Sequence, residues 1–462
     1  MGLYINNTFI PNIKTKKEII PSNTISISAS GIYNIYNYSL LNLNTNNDNN
    51  FKLFLTNGTL SVYTNSNITN ICDYAFYSCG LEQIITPNVI NIGNFAFQSC
   101  SLLTSASLPN CSYIGDYAFG YCSSLASINL PLCSSIGYYA FEFCSSLTSI
   151  DLPNCGYIGY MAFQYCSSLT SINLPLCSYV GSSAFQSCSS LTSIDLPNCS
   201  YIGSYAFQSC HSLTSISLPQ CSYIGNAAFV YCYSLTSVNL PNCSYIGYYG
   251  FAYCSSLASV DLPNCSYIGN YAFEYCSLLT SVNLLNCSYI GSYAFYNCYS
   301  LFSINLPLCS YIGSSAFQYC SSLTSINLPI CGRIESYAFV ACHSLTSIDL
   351  PNCSYIESQV FYSCSSLTSI SLPNCNYIGN YAFFKCSSLA SIDLPKCSYI
   401  GNYAFYNCSS LTSIYLTSTS LVSLANINAF SYTPISNSTY TGTFGSIYVP
   451  SSLLASYKTK AN

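Results

Sequence analysis

The sequence predicts a β-rich repeat solenoid in which about 16 short coils stack on one another. Phe followed three residues later by Cys recurs every 22 residues from Phe97 to Phe405, in most units with Ala before the Phe. Each unit also repeats a short alternating run of Leu and Ile, and Pro follows this run from Pro109 to Pro395 with one break at Leu285. A fixed period of this length is typical of a solenoid, because a single coil cannot bury its apolar face whereas stacked coils can.

The unit that begins at Cys144, CSSLTSIDLPNCGYIGYMAFQY, shows how each element is predicted. Leu147, Ile150 and Leu152 form an inward-facing pattern typical of a short strand. Alternation turns Ser149 and Asp151 toward solvent. The following Pro ends the strand because it has no N–H to donate to the ladder. The second half of the unit carries Ile, mostly followed by Gly, and then Ala-Phe. We predict a second short strand or turn there, with a 3₁₀-like turn at Ala-Phe.

The repeated pattern I-G-x-x-A-F-x-x-C-x-x-L-x-x-I-x-L-P resembles the BspA-like class of leucine-rich repeats from about Ile68 to Leu416. This resemblance implies a right-handed leucine-rich-repeat stack with short strands and 3₁₀ turns, and it implies attachment to host proteins or cells. The chain departs from the class in its period, which is 22 residues where 23 is common. It also has Cys111, Cys133 and their equivalents where Val or Leu is usual.

Three segments are expected. Residues 1–67 lack the period and contain alternating runs such as TISISAS, which predict an N-terminal β-rich cap or attachment segment. Residues 68–416 form the solenoid, and residues 417–462 form a degenerate last repeat and a C-terminal cap, since an open end would expose core and strand edge. The run ISISASGIYNIYNYSLLNLN is similar to a β-segment of tail-associated proteins of gut bacteriophages, and GSIYVPSSLLASYKTKAN resembles the closing segment of bacterial proteins of this repeat class.

The 31 cysteines are predicted to be reduced thiols that line the core as a cysteine ladder. Fifteen recur from Cys100 to Cys408 and fourteen from Cys111 to Cys397, each column with the 22-residue period. Neighbours in a column stack about 4.8 Å apart with parallel Cβ vectors, which is poor disulfide geometry. Reduced cysteines favour an intracellular or virion-associated protein, while the resemblance also allows the cell surface.

Composition excludes several classes of function. Nine Lys and Arg in 462 residues cannot form a nucleic-acid-binding surface. No apolar run reaches the roughly 20 residues of a membrane helix, and the first twenty residues lack the pattern of a secretory signal. No C-x-x-C pair occurs, and His211 and His343 are six coils apart, so no metal or other cofactor is expected. Nor do two Asp residues occupy neighbouring coils in the strand column that begins near Asp151, so the sequence lacks a close carboxylate pair for acid–base catalysis.

The candidate binding residues are the outward-facing Asp and Asn side chains of the strand column. They are Asp151, Asn173, Asp195, Asn239 and Asp261. The functional interpretation is a ledge of amides and hydroxyls for an extended ligand, and the structural alternative is a solvated strand face. A column of Tyr from Tyr113 to Tyr399 is a second candidate surface, although it is also explained as a structural ladder. Glu335 and Glu357 occupy neighbouring coils, and we interpret them, with Arg333, as a surface ion pair.

The predicted function is therefore non-catalytic recognition or adhesion, in which the repeat surface binds a protein or glycan on a cell surface. The alternative is a structural or host-recognition component of a phage virion or tail, or a passive spacer. An analogy of fold is a weak argument for function, so the sequence leaves both open.

Overall fold

The structure is a computed structural model. It describes residues 68–436 and 445–460, together with seven short strands between residues 3 and 64. The fold is a parallel β-solenoid of about 16 turns, as the sequence predicts. The chain divides into two compact units, which comprise residues 1–221 and 222–462. Both units use the same coil.

Each complete coil contains a three-residue strand in which only the central side chain points inward, as in Ser149–Asp151, where Ile150 is buried and its neighbours are exposed. This confirms the predicted alternation. In unit 1 these strands are Leu81–Ile85, which is longer, then Ser105–Ser107, Ser127–Asn129, Ser149–Asp151, Ser171–Asn173, Ser193–Asp195 and Ser215–Ser217. In unit 2 they are Ser237–Asn239, Ser259–Asp261, Ser281–Asn283, Ser303–Asn305, Ser325–Asn327, Ser347–Asp349, Ser369–Ser371, Ser391–Asp393 and Ser413–Tyr415. The strand Ser446–Tyr448 continues this ladder but is exposed at all three positions.

A second, two-residue strand follows in each coil, and its last residue is buried except in the final member, Ser423–Leu424. In unit 1 these strands are Asn70–Ile71, Asn91–Ile92, Tyr113–Ile114, Ser135–Ile136, Tyr157–Ile158, Tyr179–Val180 and Tyr201–Ile202. In unit 2 they are Tyr223–Ile224, Tyr245–Ile246, Tyr267–Ile268, Tyr289–Ile290, Tyr311–Ile312, Arg333–Ile334, Tyr355–Ile356, Tyr377–Ile378, Tyr399–Ile400 and Ser423–Leu424.

Strands of neighbouring coils pair in parallel, and the register equals the sequence period. Ser149 lies opposite Ser171, and Asp151 lies opposite Asn173. Because equivalent residues are neighbours, each apolar column becomes a continuous stripe of the core. Phe141 and Phe163 stack with ring centroids 5.1 Å apart in unit 1, and the Phe column continues in this way within each unit. The Leu, Cys and Phe side chains of these columns are almost completely inaccessible to solvent.

The Ala-Phe segment forms consecutive hydrogen-bonded turns. The N–H of Cys122 donates to the carbonyl of Phe119 at 3.2 Å, which is the i→i+3 bond of the predicted 3₁₀-like turn. Other N–H groups bond to the next coil, as Phe119 does to the carbonyl of Ala140 at 2.7 Å. Two residues of each turn adopt left-handed backbone conformations, for example Tyr117 with φ 54° and Tyr121 with φ 62°. The repeat pattern did not lead us to predict these left-handed residues.

The segment before the regular repeats contributes strands to both ladders. Thr24–Ser26 pairs in parallel with Leu60–Thr64, which pairs with Leu81–Ile85. Asn50–Phe51 pairs with Asn70–Ile71. The antiparallel pairs are Leu3–Ile5 with Thr8–Ile10 and Leu40–Leu41 with Phe54–Leu55. The rest of residues 1–67 lies outside the described residues, so the N-terminal cap stays a prediction.

The C-terminal segment packs against the last regular coil of unit 2. Ser446–Tyr448 pairs with Ser413–Tyr415, and Phe430 stacks on Phe405 with centroids 5.5 Å apart. The helices of this segment are short: 3₁₀ turns span Ile427–Phe430 and Ser451–Leu453, and an α-helix spans Leu454–Lys460.

Candidate functional site

The predicted binding residues lie where alternation places them, at the exposed third position of the three-residue strands. We call the outward-facing first and third positions of these strands the ledge. Asp151, Asn173 and Asp195 occupy successive strands of unit 1 and are paired in register. Asn239 and Asp261 are paired in the same way in unit 2. The ledge therefore brings the three residues of unit 1 together and, separately, the two residues of unit 2.

Side-chain hydrogen bonds connect neighbouring coils along the ledge. The amide of Asn173 donates to the Asp151 carboxylate at 2.8 Å, and Asn283 donates to Asp261 at the same distance. Asn327 also donates to the side-chain carbonyl of Asn305, at 2.9 Å. These bonds explain the mixture of Asp and Asn in the column. The amide of an Asn can donate to a carboxylate of a neighbouring coil, whereas a second carboxylate in its place would repel the first.

A depression of about 370 Å³ interrupts the ledge of unit 2. It is lined by Val260 and Val282 and by the polar residues Asp261, Asn283 and Asn305. The two Val side chains point inward and are buried, so these residues line the depression mainly with their backbone. Leu285 also lines the depression, at the one break in the Pro column. The sequence interpretation missed this depression, although the break in the Pro column coincides with it.

The Tyr column is a stacked ladder on the two-residue strands. In unit 1, Tyr179 and Tyr201 stack with centroids 5.0 Å apart and rings 1° from parallel. In unit 2, Tyr267 and Tyr289 stack at 4.8 Å. Since each ring face is covered by the next ring, the column presents mainly ring edges and hydroxyls to solvent. This geometry favours the structural interpretation of the column.

A profile of the BspA type leucine rich repeat region matches the chain in six copies, over residues 4–103, 47–170, 90–200, 134–257, 244–330 and 332–451. The chain belongs to the BspA-type leucine-rich repeat family. The matches extend beyond Ile68 and Leu416 at both ends. The family profile therefore also matches parts of the two flanking segments that lack the regular period.

Several solved structures are similar to this BspA-type chain. A leucine-rich repeat protein from Bacteroides ovatus is 23% identical, with 90% of this chain and 99% of that protein covered and a TM-score of 0.42. A leucine rich cell surface protein from Faecalibacterium prausnitzii is 22% identical, with coverage of 85% and 96% and a TM-score of 0.39. The T. pallidum leucine rich repeat protein is 26% identical, with coverage of 43% and 86% and a TM-score of 0.32. No curated protein matches the sequence.

The cysteines of this BspA-type chain are thiols that line the core, as predicted. All except Cys72, which is partly exposed, are buried. In one column the thiol donates to a carbonyl of a preceding coil, as Cys166 does to Phe141 at 3.1 Å. In the other it donates to the carbonyl two residues on, as Cys155 does to Tyr157 at 3.3 Å. Burial raises the pKa of Cys155 to about 11, so these thiols are poor nucleophiles at neutral pH.

Two of the charged residues singled out by the sequence, Arg333 and Glu335, form a surface ion pair. Arg333 Nε lies 2.8 Å from a Glu335 carboxylate oxygen, and 66% of the Arg333 side chain is exposed. The Tyr311 hydroxyl donates to the same carboxylate at 3.4 Å. Both histidines are exposed, as predicted, and Nδ1 of His343 lies 2.9 Å from the Ser363 carbonyl.

The part of the chain that the structure describes contains no cluster of three or more His, Cys, Asp or Glu side chains placed to hold a metal ion. None of its helices is long and apolar enough to cross a membrane.

Proposed function

We propose that this BspA-type chain is a non-catalytic recognition scaffold that binds an extended protein or glycan of a cell surface along the ledge. The observation that carries the proposal is the row of small, exposed polar side chains on successive strands, exemplified by Asp151, Asn173 and Asp195. Small side chains lose little conformational entropy when a ligand orders them. Their donors and acceptors repeat at about 4.8 Å, which suits a ligand that runs across several coils.

The depression in unit 2 supports the same proposal. It offers the exposed apolar side chain of Leu285 beside the polar side chains of Asp261 and Asn283. A sugar ring or a small side chain has both apolar and polar edges and can use both surfaces. Ligand sites commonly combine apolar lining with a few placed polar groups in this way.

The low charge of the chain supports a neutral ligand. Its formal net charge is −5 in 462 residues, and only 5% of residues are charged. Binding along the ledge should therefore depend little on salt concentration, because few screened charge pairs are involved.

The alternative, a structural or host-recognition component of a virion or a passive spacer, stays a prediction from the flanking sequences.

The test replaces three ledge residues by Lys, in the combined variant N173K, D195K and N239K. These side chains are exposed, so the long Lys side chains should block the ledge without unfolding the coils. The control variant places Lys at three exposed Ser positions outside the ledge, S123K, S167K and S409K. Both proteins are compared with wild type on a glycan array and in a host-cell binding assay.

The proposal expects wild type and the control to bind and the ledge variant to lose at least tenfold in affinity. Equal binding by the ledge variant and the control would refute the ledge as the site. Absence of binding by wild type on arrays and on cells would instead favour the passive-spacer alternative.

A further inference from the structure

Phe302 is an exposed aromatic residue in a column where the other regular coils have Thr or Ala, from Thr104 to Thr412. It is 58% exposed, the highest value among the exposed large apolar residues in the part of the chain that the structure describes. Its N–H donates to the carbonyl of Thr280 in the preceding coil at 3.1 Å, so the backbone keeps the regular register. Leaving a ring of this size in water forgoes the stabilisation of burial. The packing of the coil therefore does not explain why Phe replaces Thr here.

Phe302 borders the depression of the unit 2 ledge. The next residue, Ser303, lines the depression, as does Ser281, which pairs with Ser303 in the neighbouring strand. Leu285, which also lines it, lies two residues beyond the end of the strand Ser281–Asn283 and is 44% exposed. Because the strands are parallel and in register, Phe302 and Leu285 lie at opposite ends of the same pair of strands. The depression thus has an exposed apolar residue at each end and polar side chains between them.

A hydrogen bond holds two of these polar side chains in place. The amide of Asn283 donates to the Asp261 carboxylate at 2.8 Å, and both residues are exposed. This bond uses one amide hydrogen and one carboxylate oxygen. The pair therefore presents a second amide N–H and a second carboxylate oxygen to a ligand. Two vicinal hydroxyls of a sugar match this arrangement, because one can donate to the carboxylate and the other can accept from the amide.

The backbone of the depression is already paired, so a ligand there is recognised by side chains. The strand Ser281–Asn283 pairs with Ser259–Asp261 on one side and with Ser303–Asn305 on the other. A peptide that binds by adding a strand needs an open sheet edge, and a helical peptide needs a continuous apolar groove. These paired strands have no open edge, and polar side chains separate the two apolar residues. A pyranose ring, which combines an apolar face with hydroxyls at its rim, fits this arrangement better than either peptide.

We propose that Asp261, Asn283, Leu285 and Phe302 form a binding site for two successive pyranose rings of a neutral glycan. This site rests on the recognition function proposed for the ledge and specifies the class of its ligand. The three residues of a strand span about 10 Å. One ring contacts Leu285 and binds the carboxylate and amide through its hydroxyls, and the next ring lies on Phe302. The C–H groups of a sugar face pack on the negative face of an aromatic ring. The volume of the depression, about 370 Å³, is within the range of about 300–1,000 Å³ of small-molecule sites.

The test measures binding of lactose and cellobiose, two neutral β-linked disaccharides, to the full chain by isothermal titration calorimetry. Sorbitol is the control probe, because it carries hydroxyls like a sugar but has no ring face. We expect saturable binding of at least one disaccharide, at least about tenfold tighter than that of sorbitol. The acidic sugar 3′-sialyllactose should bind more weakly than lactose, since Asp261 repels its carboxylate.

Two variants introduce residues that occur naturally in the same columns, so they should fold, and circular dichroism melting curves check this. F302T restores the Thr of the neighbouring coils, and D261S introduces the residue found at Ser217. Each should weaken disaccharide binding at least about tenfold, whereas F302Y keeps the ring and should bind within about threefold of wild type. The matched control is L176N, which replaces an exposed Leu outside the depression by the Asn of both neighbouring coils and should bind as wild type does.

The sugar site is overturned if neither disaccharide binds, if sorbitol binds equally well, or if F302T and D261S bind as tightly as L176N. The recognition function of the ledge would still stand in these cases if wild type binds host cells and the Lys variant of the ledge does not. Periodate oxidation of the cells cleaves vicinal diols of glycans, so binding that survives it would identify a protein ligand and would also overturn the sugar site. Absence of all binding by wild type, to sugars and to cells, would contradict both proposals.

Discussion

At the residue scale, the turns select against branched side chains. The two left-handed positions of each turn hold residues such as Tyr205, Ser183, Ala341, Asn297 and Gln359. Within residues 68–436 and 445–460, no left-handed position is occupied by Val, Ile or Thr. This exclusion stands out in a chain in which Ile and Thr are common elsewhere. A β-branched side chain at positive φ is strained because its Cβ substituents crowd the backbone. The exclusion is thus a sequence signal for these turns.

Ser187, which has φ 60°, offers a direct test of this strain. We expect S187V to lower the free energy of unfolding by about 1 to 2 kcal/mol relative to S187A, since only Val adds branching at Cβ. S187A is the matched control, because Ala341 occupies the same column naturally. Chemical denaturation followed by circular dichroism measures the difference. Equal midpoints for the two variants would show that the turn tolerates branching.

At the element scale, the strands and their register could be predicted because the period is constant. A slip of one residue would turn Ile150 to solvent and Asp151 to the core, so the apolar columns permit a single register. The constant register also places the ledge residues on one face. The hydrogen bond from Asn173 to Asp151 could not be predicted in this way, because it depends on how both side chains are oriented.

Features that depend on differences between coils could not be predicted from the repeat pattern. The depression is lined by Leu285, which replaces the Pro of the other coils. A consensus describes what every coil shares, whereas sites arise where individual coils depart from it.

Removal of residues 417–462 tests the element that ends the solenoid in unit 2. Phe405, Leu411 and Ile414 are buried, and the C-terminal segment supplies the ring that stacks on Phe405 and the strand that pairs with Ser413–Tyr415. The truncated chain should expose this core and an unpaired strand edge, and edges of this kind promote association. We expect aggregation or fraying from this end, measured by light scattering and hydrogen exchange. A truncated protein that stays monomeric with unchanged melting would refute the capping role.

At the scale of the whole molecule, the effects of the buried thiols on stability add up, because each coil places its thiols in the same environment. The unfolded chain titrates its cysteines near their ordinary value of 9.0, whereas burial raises the pKa of Cys243 and Cys353 to about 11 and that of Cys111 and Cys287 to about 12 in the folded state. Above pH 9 the folded state therefore binds more protons than the unfolded state. By linkage, the stability that these thiols contribute is fully present below pH 9 and decreases as the pH rises.

This linkage predicts cooperative alkaline unfolding. Each such thiol lowers the free energy of unfolding by up to about 1.4 kcal/mol per pH unit above 9. With two columns of thiols, the summed loss within one or two pH units exceeds the roughly 5–15 kcal/mol that stabilises an ordinary domain. We therefore expect the melting temperature to fall steeply between pH 9 and 11, with release of many protons at the transition. Between pH 6 and 8 the thiols stay protonated in both states, so their contribution is constant there and this range is the control. A melting temperature at pH 10.5 equal to that at pH 8 would contradict the prediction.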